Sequence, residues 1–289
     1  MQKNVDLKGG VPMKRTVYCQ WLDWAVSIVC DYVPMMPFLE YYFQLYDVLE
    51  GVDIRSAVLH TEVEIKKEKT SVLVRCGHRS RSTSENCNVI MGVVAEFCND
   101  DFFDKKKPEW CLLHGAAVSQ DGETAHVFLA PTGMGKSTLA YYICTHGFRF
   151  CADDLAVMDM KTGCLLPYPK PIYLRNMDFL EVTEKADAFP WYCYRLLFSD
   201  GSVKYPVFPK ECMNKSLKPC AFHVYERGEL CGSRTMKMTE RFQSLLMNSA
   251  WISDFQYHSR QLVQLVRLYS VDRIQCKDFQ ELMKIIGRS

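Results

Sequence analysis

The chain has 289 residues, 48% of them hydrophobic and 24% charged, which is ordinary for a folded globular protein long enough to bury a sizeable core. A formal net charge of +1 gives no electrostatic case for a nucleic-acid partner. No apolar run approaches the roughly 20 residues of a membrane span, and Met1 to Lys8 lack the apolar core of a signal peptide. The expectation is therefore a cytoplasmic protein with no membrane partner. The 14 cysteines include no Cys-x-x-Cys pair, and the even spacing of Cys76, Cys87 and Cys98 is too wide for zinc ligand pairs. They read as free, mostly buried thiols.

In chain order, residues 1–12 form a loose lead-in with Gly9, Gly10 and Pro12. Pro34 to Pro37 reads as a break before an aromatic cluster from Phe38 to Tyr46. Alternation in Arg55–His60, Val63–Ile65 and Ser71–Arg75 predicts antiparallel strands joined by Lys-rich turns. An apolar run over 88–103 predicts a buried helix, ended by an exposed loop from Asp100 to Pro108. This loop is the predicted boundary: a β-rich half over 1–104, with a role in substrate recognition, then a nucleotide core over 109–289. Within that core, Cys111–Val118 reads as one strand, Gln120–Glu123 as a turn with an Asp-Gly signal, and Ala125–Leu129 as the return strand. Further on come a strand over Phe148–Ala152, an extended Leu155–Met158, a proline-stiffened Pro167–Arg175 and helices near 236–250 and 277–286. Residues 176–235 give little periodic signal.

Ala130-Pro131-Thr132-Gly133-Met134-Gly135-Lys136-Ser137-Thr138 carries the most chemistry. It is a glycine-rich octamer with Lys-Ser, the phosphate-loop pattern, between a buried strand and a helix beginning at Ser137. Backbone N–H groups of such a loop and the helix N-terminus share one concavity, and the helix dipole favours an anion there. Lys136 would reach the outer phosphates, and the Ser137 hydroxyl would ligate Mg²⁺. The bound species is then a nucleoside triphosphate, ATP by default, cradled from Thr132 to Thr138. One position departs: the pattern has Gly where this chain has Ala130, a site where Cβ is expected to crowd a sharp turn. Downstream, Asp153-Asp154 ends a strand, where one carboxylate can serve the metal and the other can accept the proton of an attacking hydroxyl.

His114-Gly115-Ala116-Ala117-Val118, the phosphate loop, Gly147 to Asp154 and Pro167 to Arg175 together resemble the HPr kinase/phosphorylase superfamily. The resemblance is closest over about 110–175. More narrowly, the chain resembles the stand-alone HPr-kinase-like proteins associated with modified-peptide gene clusters, lasso-peptide tailoring kinases among them. It implies an α/β fold: a P-loop kinase core of the HPr kinase/PEP carboxykinase type with a mixed sheet, preceded by the β-rich half. It also implies ATP-dependent transfer of the γ-phosphate to a serine or threonine hydroxyl of a peptide or small protein, with Mg²⁺. Residue by residue, Lys136 and Ser137 bind phosphates and metal. One of Asp153 and Asp154 is the base, Asp153 for preference, with Asp154 on the metal. His114 lies near the reacting phosphate or orients the base, and Arg175 neutralises charge. A homo-oligomer is compatible with this reading.

Two other readings stand beside it: a small-molecule kinase, and a nucleotide-binding regulatory or interaction module that has lost phosphotransfer. A transporter ATPase is disfavoured because no Leu-Ser-Gly-Gly-Gln-like segment occurs. A GTPase is disfavoured because Asn214-Lys215-Ser216-Leu217 lacks the aspartate that reads guanine.

Overall fold

The computed structural model describes residues 15–21, 24–43, 47–48, 59–168, 170–175, 195–229, 231–250 and 254–287. The lead-in at 1–12, the predicted strand start at 55–58, Tyr46 and Pro169 lie outside them. The chain is a mixed α/β protein with several sheets and divides into two compact units. One unit comprises Met1–Asp104 with Leu197–Ser202, the other Lys105–Leu196 with Val203–Ser289.

The first unit is β-rich. Its elements are β1 (Arg15–Trp21), β2 (Trp24–Cys30), α1 (Met36–Tyr42), β3 (Asp47–Val48), β4 (Leu59–Lys67), β5 (Val72–Cys76), β6 (Arg79–Thr83) and α2 (Cys87–Lys105). The sheet runs β3-β1-β2-β4-β5-β6, and only the β2–β4 pairing is parallel. Alternation along β4 turns Leu59, Thr61, Val63 and Ile65 into the core. The Pro34–Pro37 segment does not break structure. Each proline falls in the first turn of a short helix, where its missing N–H leaves no bond unmade.

The predicted exposed loop after residue 100 is corrected as well. Helix α2 continues to Lys105, and Asp101 is buried. Its Oδ2 accepts a 2.6 Å bond from the Thr61 hydroxyl, which itself accepts 2.7 Å from Trp24 Nε1. That chain satisfies three polar groups in an otherwise apolar interior. The segment 197–202 joins this unit through Ser199, whose N–H and hydroxyl donate to Glu96 at 2.7 and 2.8 Å. Gly92 permits the approach, since a Cβ there would collide with the Leu197 carbonyl.

The second unit contains β7 (Trp110–Leu113), β8 (Gly115–Ser119), β9 (Thr124–Leu129), α3 (Lys136–Thr145), β10 (Arg149–Ala152), β11 (Ala156–Asp159), β12 (Cys164–Leu166), β13 (Ile172–Leu174), β14 (Leu196–Leu197), β15 (Val203–Val207), β16 (Lys218–Arg227), β17 (Gly232–Thr235), α4 (Met238–Met247), α5 (Phe255–Leu268), β18 (Val271–Cys276) and α6 (Phe279–Ile286). A six-stranded sheet runs β10-β8-β9-β16-β18-β17 and is mixed: β9, β16 and β18 are parallel, and the outer pairings are antiparallel. Ala125–Leu129 is buried on both faces, as a central strand with parallel pairing requires. Leu139, Ala140 and Ile143 of α3 pack into a core with Phe128 of β9, Ile172 of β13 and Leu282 of α6. No helix among the described residues is long and apolar enough to cross a membrane.

The predicted single strand Cys111–Val118 is two strands in two sheets. β7 pairs with β11 in the three-stranded sheet β12-β11-β7, while β8 pairs with β9 and β10. The break falls at His114, whose N–H leaves the ladder and donates to the Asn248 carbonyl at 2.6 Å. The paired segment breaks opposite, since β10 ends at Ala152 and β11 begins at Ala156.

Two buried histidines lie inside the sheet. His126 Nδ1 and His223 Nε2 are 3.0 Å apart, between β9 and β16. Burial pushes both down, His223 to about 3 with His126 as the secondary cause. Both rings are therefore neutral in the folded protein, whereas in the unfolded chain they protonate near about 6.5. The contribution of His223 to stability is complete above about pH 6.5 and is lost as pH falls toward 3; that of His126 falls in the same direction. Urea melts over that range should show stability falling with pH, with a shallower fall in His223→Phe.

Candidate functional site

Strand β9 delivers the chain to Ala130, and α3 begins at Lys136. Gly133 and Gly135 both have φ of +87°, a left-handed conformation that side chains resist, and a Cβ on either would meet nothing within 4 Å. The glycines are thus required by backbone conformation and leave the concave side of the loop open. Ala130 has no such conformation. It is fully buried in the core beside α3, and Asp154 is the sole non-glycine residue with positive φ among the described residues. A methyl fits where a sharp glycine turn was expected.

The Lys136 side chain is 5% exposed and turns back over the loop, donating to the carbonyls of Ala130 at 2.5 Å and Pro131 at 3.2 Å. Burial lowers its pKa, while Asp154 and Asp153 act to raise it. A cleft of about 230 Å³ opens above the loop. Of the residues singled out in the sequence, His114, Thr132, Gly133, Gly135, Lys136, Ser137, Thr138, Asp154 and Arg175 line it. Met134 and Asp153 are not among the lining residues: the Met134 side chain packs against the core, and Asp153 is wholly buried.

The two aspartates occupy different environments. Asp153 is completely buried beneath the cleft. Its Oδ2 accepts from the Tyr173 N–H at 3.3 Å, and its Oδ1 has no hydrogen-bond partner. Burial, then the neighbouring Asp154, raises its pKa well above the carboxylate range, with Lys170 and the Ser137 hydroxyl pulling the other way. Asp154 lies in the left-handed region at φ +62°, a strain of roughly 1 kcal/mol that aspartate tolerates better than most residues. That turn sends its carboxylate to the cleft. There Lys170 Nζ, itself 8% exposed, forms an ion pair with Oδ2 at 3.2 Å. Burial alone would raise Asp154, but the Lys170 and then the Lys204 ammonium group outweigh it and keep its pKa low.

The Asp154 carbonyl faces His114 Nδ1 at 3.0 Å, which fixes the tautomer: Nδ1–H donates, and Nε2 keeps a lone pair, 3.4 Å from the Thr132 hydroxyl. Burial lowers the His114 pKa, and Lys136 lowers it further. A neutral imidazole on the cleft wall follows.

Three residues without an assigned role complete the wall. Tyr173 and Lys204 line the cleft, and Lys170 lies 4.4 Å from the Tyr173 ring centre. Strands β13 and β15 pair antiparallel with Leu174 opposite Tyr205, so the next step of the ladder brings Lys204 toward Arg175. Lys170 and Tyr173 sit in the proline-stiffened segment and were visible as part of it. Lys204 lies in the stretch that carried no periodic signal.

The donor set suits Mg²⁺ with a polyphosphate. A buried carboxylate with an unpartnered oxygen next to a hydroxyl is a hard-oxygen pair, and four cationic side chains, Lys136, Lys170, Arg175 and Lys204, lie in or beside the cleft against two carboxylates. No family model matches the chain, and no curated protein does. Among solved structures, it matches an HPr(Ser) kinase/phosphatase from Coxiella burnetii at 11% identity and a TM-score of 0.31, covering 61% of this chain and 90% of that one. Likeness at that level establishes neither a shared fold nor a shared activity.

Ala130→Gly should cost roughly 1–2 kcal/mol of stability, through backbone entropy and a lost buried methyl, with the loop conformation kept. Denaturant melts check the first expectation, and amide exchange over residues 130–136 the second.

Proposed function

We propose that the second unit is an ATP-dependent kinase core that moves the γ-phosphate to a serine or threonine hydroxyl of a peptide or small protein. The observation that carries this reading is the unpartnered Oδ1 of Asp153, fully buried beside Ser137 at the start of the helix that follows the glycine loop. A buried carboxylate with an open lone pair is costly unless it takes up a proton, as its raised pKa favours, or a cation completes it.

On this reading Ser137 and Asp153 hold Mg²⁺, and the loop N–H groups with Lys136 hold the outer phosphates. The metal supplies positive charge that binds the phosphates and offsets charge developing in transfer. Lys136 gives up its bonds to the Ala130 and Pro131 carbonyls to reach the ligand. Asp154, on the cleft wall, orients the acceptor hydroxyl and takes its proton. Lys170 keeps it ionised and in place, and His114 fixes the backbone from which it projects. Arg175 and Lys204 neutralise the transferring group. This allocation exchanges the two aspartates relative to the one the resemblance implies. The acceptor class rests on the resemblance alone.

Incubation with labelled ATP and a library of serine- and threonine-containing peptides, read by mass spectrometry, should show added phosphate. Lys136→Ala should abolish transfer, and Asp154→Asn should cut it by on the order of 10²–10⁴-fold with the folded state retained. Near-wild-type transfer in both variants would remove this site from the chemistry.

A further inference from the structure

A second concave surface lies away from the cleft: an open groove of about 660 Å³ alongside α5, lined by Phe242 of α4 and by Arg260, Val263, Arg267 and Leu268 of α5. Helix α5 has two faces. His258, Gln261, Leu262, Leu265 and Val266 turn inward, and Gln261 donates to the Pro108 carbonyl at 3.1 Å. Arg260, Val263 and Arg267 follow one another at i, i+3 and i+7 on a different side. The groove floor is apolar: Phe242 and Val263 are half-buried, and Leu268 is 56% exposed.

Charge says what covers it. Arg75, Arg79, Arg81, Arg149, Arg234 and Arg273 each meet a carboxylate. Arg260 and Arg267, like Arg175, Arg227 and Arg241, form no ion pair among the described residues, but these two stand together on one groove. They stand two turns apart, about 10.5 Å along the axis. From Phe255 to Leu268 the helix contains no Asp or Glu. A second copy docked face to face across a two-fold axis would therefore set arginine against arginine. A bilayer surface would bridge a concave floor rather than fill it.

We infer that this groove docks an acidic amphipathic helix from another polypeptide. Leucine-like side chains on one stripe fill the Phe242–Val263–Leu268 floor, and two carboxylates seven residues apart meet Arg260 and Arg267. The inference does not depend on the kinase reading, and its test needs no turnover.

The test uses the full chain and fluorescence anisotropy with two labelled helical peptides sharing one leucine stripe. One peptide is flanked by glutamates seven residues apart, the other by lysines. The glutamate peptide should bind at least about tenfold tighter, with affinity falling as salt rises. Arg260→Glu with Arg267→Glu should reverse the preference, and Leu268→Asp should weaken the glutamate peptide. Equal affinity for the two peptides, failure of both to bind, or no reversal in the double variant would overturn the inference. Concentration-dependent dimerisation abolished by the double variant, or binding to phosphatidylserine vesicles in place of the glutamate peptide, would overturn it in favour of a second copy or a lipid surface.

Discussion

The hydrogen bond from the His114 ring to the Asp154 carbonyl joins two breaks that lie opposite one another in paired strands. On one chain segment β7 gives way to β8, and on the other β10 gives way to β11. Each segment leaves one sheet for another at the same place. Strand ladders satisfy backbone groups automatically, so a double break must satisfy them by other means. The His114 N–H goes to Asn248, and the Asp154 carbonyl takes the imidazole. The left-handed turn at Asp154 is the conformational cost of the crossing. Its result is two adjacent carboxylates pointing to different environments, one into the core and one into the cleft, which continuous strands would give only by simple alternation.

The electrostatics follow from that separation. Burial disfavours charge on Asp153, and Asp154 beside it disfavours charge further, so Asp153 is primed to be stabilised by a cation. Asp154 is ionised because the Lys170 and Lys204 ammonium groups lie beside it. The surplus of positive charge in and around the cleft suits a polyphosphate better than a neutral or cationic ligand. The loop glycines, the helix N-terminus and these cations all address the same small volume.

Much of this was legible in the sequence because local physics wrote it. The glycines announce left-handed backbone, the apolar run Ala125–Leu129 a strand buried on both faces, and Asp153-Asp154 an acidic strand end. What was hidden depends on long-range pairing. Cys111–Val118 is uniformly apolar, and nothing local says that it changes sheets at His114. Asp101 looks like a loop carboxylate until Thr61 and Trp24 are brought beneath it. Ala130 looks like a defect until its burial is seen. Lys204 reaches the cleft only through the β13–β15 pairing, across a long stretch of sequence. Helix α5 did carry a signal: Asp254 caps its first turn by accepting from the Tyr257 N–H at 3.0 Å, and His258, Leu262, Leu265 and Val266 repeat at helical spacing.

On the proposed reading, Asp153 and Ser137 form the metal side of a nucleotide site. Calorimetric titration of ATP, with Mg²⁺ and with the metal chelated, tests it most directly in the wild type and in Asp153→Asn. Mg²⁺-dependent tightening is expected in the wild type, and its loss in the variant, with the folded state retained. Equal affinity with and without Mg²⁺ in the wild type, or undiminished Mg²⁺ dependence in Asp153→Asn, would contradict that reading.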